Sequence, residues 1–135
     1  MITLIDTSLW IDFTRARSPR SLKQFIVPYI LHPTAHLAEP VAFEVLRHAT
    51  PKERAQLMRQ FQTLPMLPTP AGLWSQAGEL GQACRSRGHT AGALVLVIAS
   101  VALSHRAVVI TFDEDFQKIA AVCGLQVKLL PRPGK

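Results

Sequence analysis

The chain has 135 residues, 48% of them hydrophobic and 18% charged, which suits one globular domain over residues 1–135 and excludes a disordered polypeptide. Fifteen Lys and Arg stand against nine Asp and Glu, a formal net charge of +6. That balance suits a polyanion such as RNA, and equally a merely basic soluble protein. The most apolar run, Ala91 to Leu103, is too short to span a bilayer, so no membrane association is expected.

Ile2 to Ile5 is a short, β-branched-rich run and reads as a strand. It stops at Asp6-Thr7-Ser8, three good helix caps, so a helix through Leu9-Trp10-Ile11 should follow. Arg15 to Arg20 is a polar loop, Ser21 to Leu31 a helix, and Thr34 to Leu37 a weak strand candidate. Pro40 stands where the next helix would begin, at its first position. Pro51 to Gln62 reads as helix, and Leu64 to Pro68 is interrupted by proline and stays ambiguous. Trp74 to Arg87 is helical with Gly88 as its C-terminal cap, and Ala91 to Ser104 is a buried helix. Ala107 to Thr111 is a continuous β-branched run, as expected of a strand covered on both faces. A helix from Asp115 to Val122 and a strand from Leu125 to Leu130 complete the pattern. Strands separated by helices predict an α/β fold with a central parallel sheet between helical layers.

Met1 to Asp6 lacks the basic start of a secretory signal, and Cys84 and Cys123 match no CxxC spacing. Both points favour reduced thiols and a cytoplasmic protein. The five histidines show no zinc-ligand spacing.

Two predicted strands run into acid: the first into Asp6, the fourth through Phe112 into Asp113 and Asp115. In an open parallel sheet, ligands bind outside the carboxyl ends of the strands. If these two strands are neighbours, Asp6 and Asp113 face one crevice. Glu44 lies in an otherwise apolar helical segment, which is unusual for an acid without a partner. Clustered carboxylates repel unless protons or a cation neutralise them, and Mg²⁺ or Mn²⁺ suits an oxygen-only site. A divalent ion so held can activate water and clamp a phosphate oxygen.

Each residue also has a plainer reading. Asp6 can simply cap a helix, Glu44 can face solvent, and Asp115 reads more readily as a helix cap than as a metal ligand. Thr7 and Thr111 can support the aspartates or a water, although capping explains Thr7 nearly as well. Asp12 and Glu39 read as surface or locally bonded residues. A phosphotransfer enzyme with an aspartate nucleophile after the first strand would need a second acid two residues on, where Ser8 stands. No GxGxxG follows the first strand, so a dinucleotide site lacks support.

Leu4-Ile5-Asp6-Thr7-Ser8-Leu9-Trp10-Ile11 resembles the opening of PIN domains of the VapC toxin family. Glu39-Pro40-Val41-Ala42-Phe43-Glu44-Val45-Leu46 is similar to that family's second acidic motif. Arg87-Gly88-His89-Thr90 followed by Ile98-Ala99-Ser100-Val101-Ala102-Leu103 resembles the third, and Val109 to Phe116 the fourth. The motifs occur in the family's order along nearly the whole chain. The resemblance implies a three-layer α/β/α sandwich, a Mg²⁺-dependent (or Mn²⁺-dependent) endoribonuclease acting as the toxin of a type II toxin–antitoxin pair, and a homodimer. It implies a cognate antitoxin that blocks the site and alone contacts operator DNA. Asp6, Glu44 and Asp113 become the site acids, with Asp6 and Asp113 as metal ligands and Asp115 as an auxiliary acid. Arg15, Arg17, Arg47, Arg85 and Arg87 are the candidate RNA contacts. The chain departs from the pattern once. The third motif places an aspartate three residues before the Ile-Ala pair, and here that position is Val95, with no acid from Gln82 to Val109. The alternative to a weakened ribonuclease is therefore a degenerate PIN domain that holds RNA or antitoxin without cutting.

Overall fold

The structure is a computed structural model that describes residues 1–133; Gly134 and Lys135 lie outside the described residues. The five strands among the described residues are β1 (Thr3–Ile5), β2 (Ala35–Ala38), β3 (Met66–Leu67), β4 (Val108–Thr111) and β5 (Gln126–Leu129). The seven described helices are α1 (Thr7–Thr14), α2 (Arg20–Ile30), α3 (Glu39–Arg47), α4 (Pro51–Phe61), α5 (Leu73–Ser86), α6 (Ala93–His105) and α7 (Asp115–Ala120). The strands form one sheet in the order β3-β2-β1-β4-β5, every pair parallel. This is the expected α/β architecture.

The register brings the two acid-bearing strand ends together. Thr3, Leu4 and Ile5 of β1 pair with Val108, Val109 and Ile110 of β4. The Asp6 amide continues the ladder, donating to the Ile110 carbonyl at 3.0 Å. The two strands that run into acid are thus direct neighbours, and both open at the same edge. The weak candidate at Thr34 to Leu37 is an inner strand, β2, paired on both sides. Its signal was weak because Ala35-His36-Leu37-Ala38 has little β-branching; burial between neighbours makes the strand. The ambiguous Leu64 to Pro68 segment contributes only the two-residue edge strand β3, which Pro65 and Pro68 keep short.

One continuous core holds the layers together, with Trp10, Leu4, Ile5, Ile26, Ile98, Val109 and Phe116 among its most buried side chains. Trp10 meets Phe61 edge to face, ring centroids 5.0 Å apart. α6 is the buried apolar helix expected from the sequence, covered from Val97 to Ala102. It packs on α5, where an added Cβ at Gly81 would stand 3.0 Å from Leu96 Cδ1. α5 stops at Ser86, and Gly88 follows in the left-handed region, φ +78°, as expected for the end of that helix. α3 starts one residue before Pro40, at Glu39. Cys84 and Cys123 are both free thiols.

Candidate active-site cleft

Asp6 is the N-cap of α1, and its side chain accepts the Ser8 amide at 3.3 Å. It is also 4% exposed and more than a cap. The Ser8 hydroxyl donates to Asp6 Oδ2 at 2.8 Å, and the Thr111 hydroxyl donates to the same oxygen at 2.7 Å. All three donors converge on Oδ2, and Oδ1 receives none among the described residues. Burial pushes the Asp6 carboxyl above the usual carboxylate range, against the lowering effect of the Thr111 and Ser8 hydrogen bonds.

A second set of bonds fixes the other acid. The Asp113 amide donates to Thr111 Oγ1 at 2.9 Å, and the Phe112 amide donates to Ser8 Oγ at 3.1 Å. Asp113 Oδ1 in turn accepts the Asp115 amide at 2.9 Å, closing the turn into α7. The capping role therefore falls to Asp113. The expectation that Asp115 caps the helix is corrected: Asp115 is its first residue, makes no side-chain cap bond, and pairs with Lys118 at 3.8 Å.

Asp6, Glu44, Val95 and Asp113 line one cleft of about 280 Å³ at the carboxyl edge of the sheet, with Arg15 and Arg132 also on its wall. Glu44 reaches it from α3 and Val95 from the first turn of α6. Asp115 lies beside it, on an adjoining opening that shares Ser8, Asp113 and Arg132. Thr7 lines the cleft, yet its hydroxyl is buried without a hydrogen-bond partner among the described residues, whereas Thr111 touches Asp6 and the Asp113 backbone. Arg15 and Arg17 border a neighbouring groove of about 430 Å³. Arg47, Arg85 and Arg87 are exposed and line neither space.

Among the described residues, no three Asp, Glu, His or Cys side chains gather closely enough to hold a metal ion. Mg²⁺ demands a near-octahedral set of oxygens. The donors present fall short of that set, and the apolar Val95 side chain occupies cleft wall.

The model of the PIN domain matches residues 3–122. Ribonuclease VapC11 of Mycobacterium tuberculosis is 31% identical over 129 residues, covering 91% of this chain and 95% of that protein. The chain is a PIN-domain protein of the VapC family. Solved structures agree on the fold. A chain of VapBC2 from Rickettsia felis, bound to a DNA fragment from its promoter, superposes with a TM-score of 0.76 at 18% identity, covering 97% of this chain and 100% of that one. A chain of VapBC-1 from nontypeable Haemophilus influenzae gives 0.67 at 22%, covering 96% and 98%.

Two cleft residues of this PIN domain escaped the sequence reading. Asp12, taken for a surface or locally bonded residue, is 9% exposed and accepts Arg132 Nε at 2.8 Å from 120 residues away. Arg132 was assigned no role. The signal for it was available: the last predicted strand ends at the same sheet edge as the others, so the residues just after it fall beside the acids.

Proposed function

We propose that this PIN domain, read as a single unit over residues 1–135, is the toxin of a toxin–antitoxin pair and an RNA-directed nuclease whose cleavage is attenuated by Val95. The observation that carries this is the single cleft lined by Asp6, Glu44, Val95 and Asp113. The family resemblance implies Mg²⁺ or Mn²⁺; Asp6, Glu44 and Asp113 line the cleft where it would sit, with Asp115 auxiliary beside it, and as they stand they would hold it at most weakly. Such an ion, where bound, would supply charge neutralisation at a phosphate. What the chain's own groups do is hold the acids in place: Thr111 and Ser8 orient Asp6, and the Thr111 hydroxyl anchors the Asp113 backbone. The net charge of +6 favours RNA as the polyanion. The VapBC complexes with superposable chains support a cognate antitoxin as partner, with operator DNA contacted through it. Exposed Phe43 and Trp74, at 58% and 77%, are consistent with a homodimer. A cytoplasmic location goes with this reading, and the two free thiols, Cys84 and Cys123, suit a reducing compartment.

A second reading, a PIN domain that binds RNA or antitoxin without cutting, is favoured by the absence of a three-donor group among the described residues. The test compares the purified chain with Val95→Asp on a structured RNA, with Mg²⁺ or Mn²⁺ and with EDTA. Little or no cleavage by the parent and metal-dependent cleavage by Val95→Asp is expected. Equal, robust cleavage by both would sink the account of Val95; cleavage by neither would favour the non-cutting reading.

A further inference from the structure

We infer that Arg132 is a phosphate-binding residue of the cleft, placed to take a phosphodiester oxygen of single-stranded RNA at its mouth. The inference rests on the RNA-directed reading above and deepens it with a residue outside the four acidic motifs.

The chain delivers Arg132 to this place by topology. β5 lies beside β4, and just past its end the Leu130 amide donates to the Thr111 carbonyl at 2.8 Å. Pro131, with its fixed φ, then turns the chain onto the edge where Asp6 and Asp113 stand. The guanidinium is held from two sides. Its Nε donates to Asp12 Oδ2 at 2.8 Å, and its carbon centre stands 4.8 Å from the Phe112 ring centroid. Phe112 is itself stacked on Phe25.

These contacts use one edge and one face of the guanidinium. The terminal amino groups make no hydrogen bond among the described residues, and the side chain is 38% exposed. An arginine fixed at Nε presents the rest of its planar fork in a set direction, a geometry that matches two oxygens of a phosphate and loses little entropy on binding. The cleft also needs such a group. Asp6, Asp12, Glu44 and Asp113 all border it and would repel a phosphate, and Arg132 and Arg15 are its only cationic lining among the described residues. Arg15 is exposed and makes no ion pair there, whereas Arg132 is oriented. Asp12 is then a positioning residue: it aims the guanidinium and balances its own buried charge by doing so.

The test measures anisotropy of a fluorescein-labelled single-stranded RNA with the full chain in EDTA, over a series of KCl concentrations, alongside a melting curve for each variant. Arg132→Ala is expected to weaken binding about tenfold, the scale of one charged hydrogen-bonded contact. It should also lower the slope of log affinity against log salt by about 0.7, the value of one single-strand phosphate contact. Arg54→Ala, an exposed charge on α4 outside the cleft, should do neither. Arg132→Lys keeps a cation for Asp12 but lacks the fork, so it should bind RNA several-fold more weakly with an unchanged melting temperature; it carries the test if Arg132→Ala does not fold. If Arg132→Ala melts earlier but keeps the parent's affinity and salt slope, Arg132 is a latch for the chain end and the inference falls, while the RNA reading stands. If the parent binds no RNA at any salt, both fall.

Discussion

Thr111 joins Asp6 to Asp113. Its hydroxyl donates to Asp6 Oδ2 at 2.7 Å across 105 residues of sequence and accepts the Asp113 amide at 2.9 Å. Thr111 is fully buried and its bond to Asp6 is shielded from bulk water, while the bond from the Asp113 amide is part-buried. Thr111→Val keeps the volume and removes both. The expected loss is about 1–3 kcal/mol, because Asp6 and the Asp113 amide each lose a buried partner. Urea unfolding measures it; a midpoint equal to the parent's would show that the two bonds carry no stability.

Asp6 gives the protein a pH signature. Burial raises its carboxyl pKa in the folded state. A raised folded value means that the folded chain binds the proton more tightly than the unfolded chain does. The corresponding stability is fully present below the unfolded pKa and is lost as pH rises through the folded one. Asp6→Asn keeps an oxygen to accept from Ser8 and Thr111 but carries no charge. In EDTA, its melting temperature relative to the parent should therefore rise from acid toward neutral pH. A relative advantage that shrinks as pH rises would contradict the sign.

The fold was legible because the hydrophobic pattern and the caps agree. Val108-Val109-Ile110-Thr111 can hardly be other than a buried strand, and Thr50 with Glu53 forms a capping box at the start of α4. That Asp6, Glu44 and Asp113 come to one cleft was legible because strand ends and an acid in an apolar helix are local signals. β2 was faint because its strand character comes from its neighbours. The Asp12–Arg132 pair was not read because nothing local links positions 120 residues apart; only the sheet order β1-β4-β5 brings them together.

On the proposed reading, an antitoxin would engage the same acids. An arginine from its tail, facing Asp6, Glu44 and Asp113, would form charge-assisted hydrogen bonds in the cleft. Asp6→Asn combined with Glu44→Gln should weaken the complex at least tenfold by calorimetry, a factor worth about 1.4 kcal/mol. Undiminished affinity would place the antitoxin contact elsewhere.

Gly81 reports on the α5–α6 contact. A Cβ there would stand 3.0 Å from Leu96 Cδ1, and Leu96 is on the same first turns of α6 as Val95. Gly81→Val should cost about 1–3 kcal/mol by overpacking. Adding Leu96→Ala should recover part of that loss by making room. If the two substitutions are simply additive in thermal unfolding, the close approach does not govern the packing of these helices.

The cleft residues differ in how much of the fold depends on them. Asp6 begins α1 by receiving the Ser8 amide, and Asp113 closes the turn into α7 by receiving the Asp115 amide. A lineage that stopped needing the chemistry would still pay in folding for losing either. Position 95 has no such duty: its residue caps nothing, and a small apolar side chain packs there beside Ile98. Mutational drift in a chain of this design would therefore spare Asp6 and Asp113 longest and act first on cleft positions that cap nothing, such as 95 and 44.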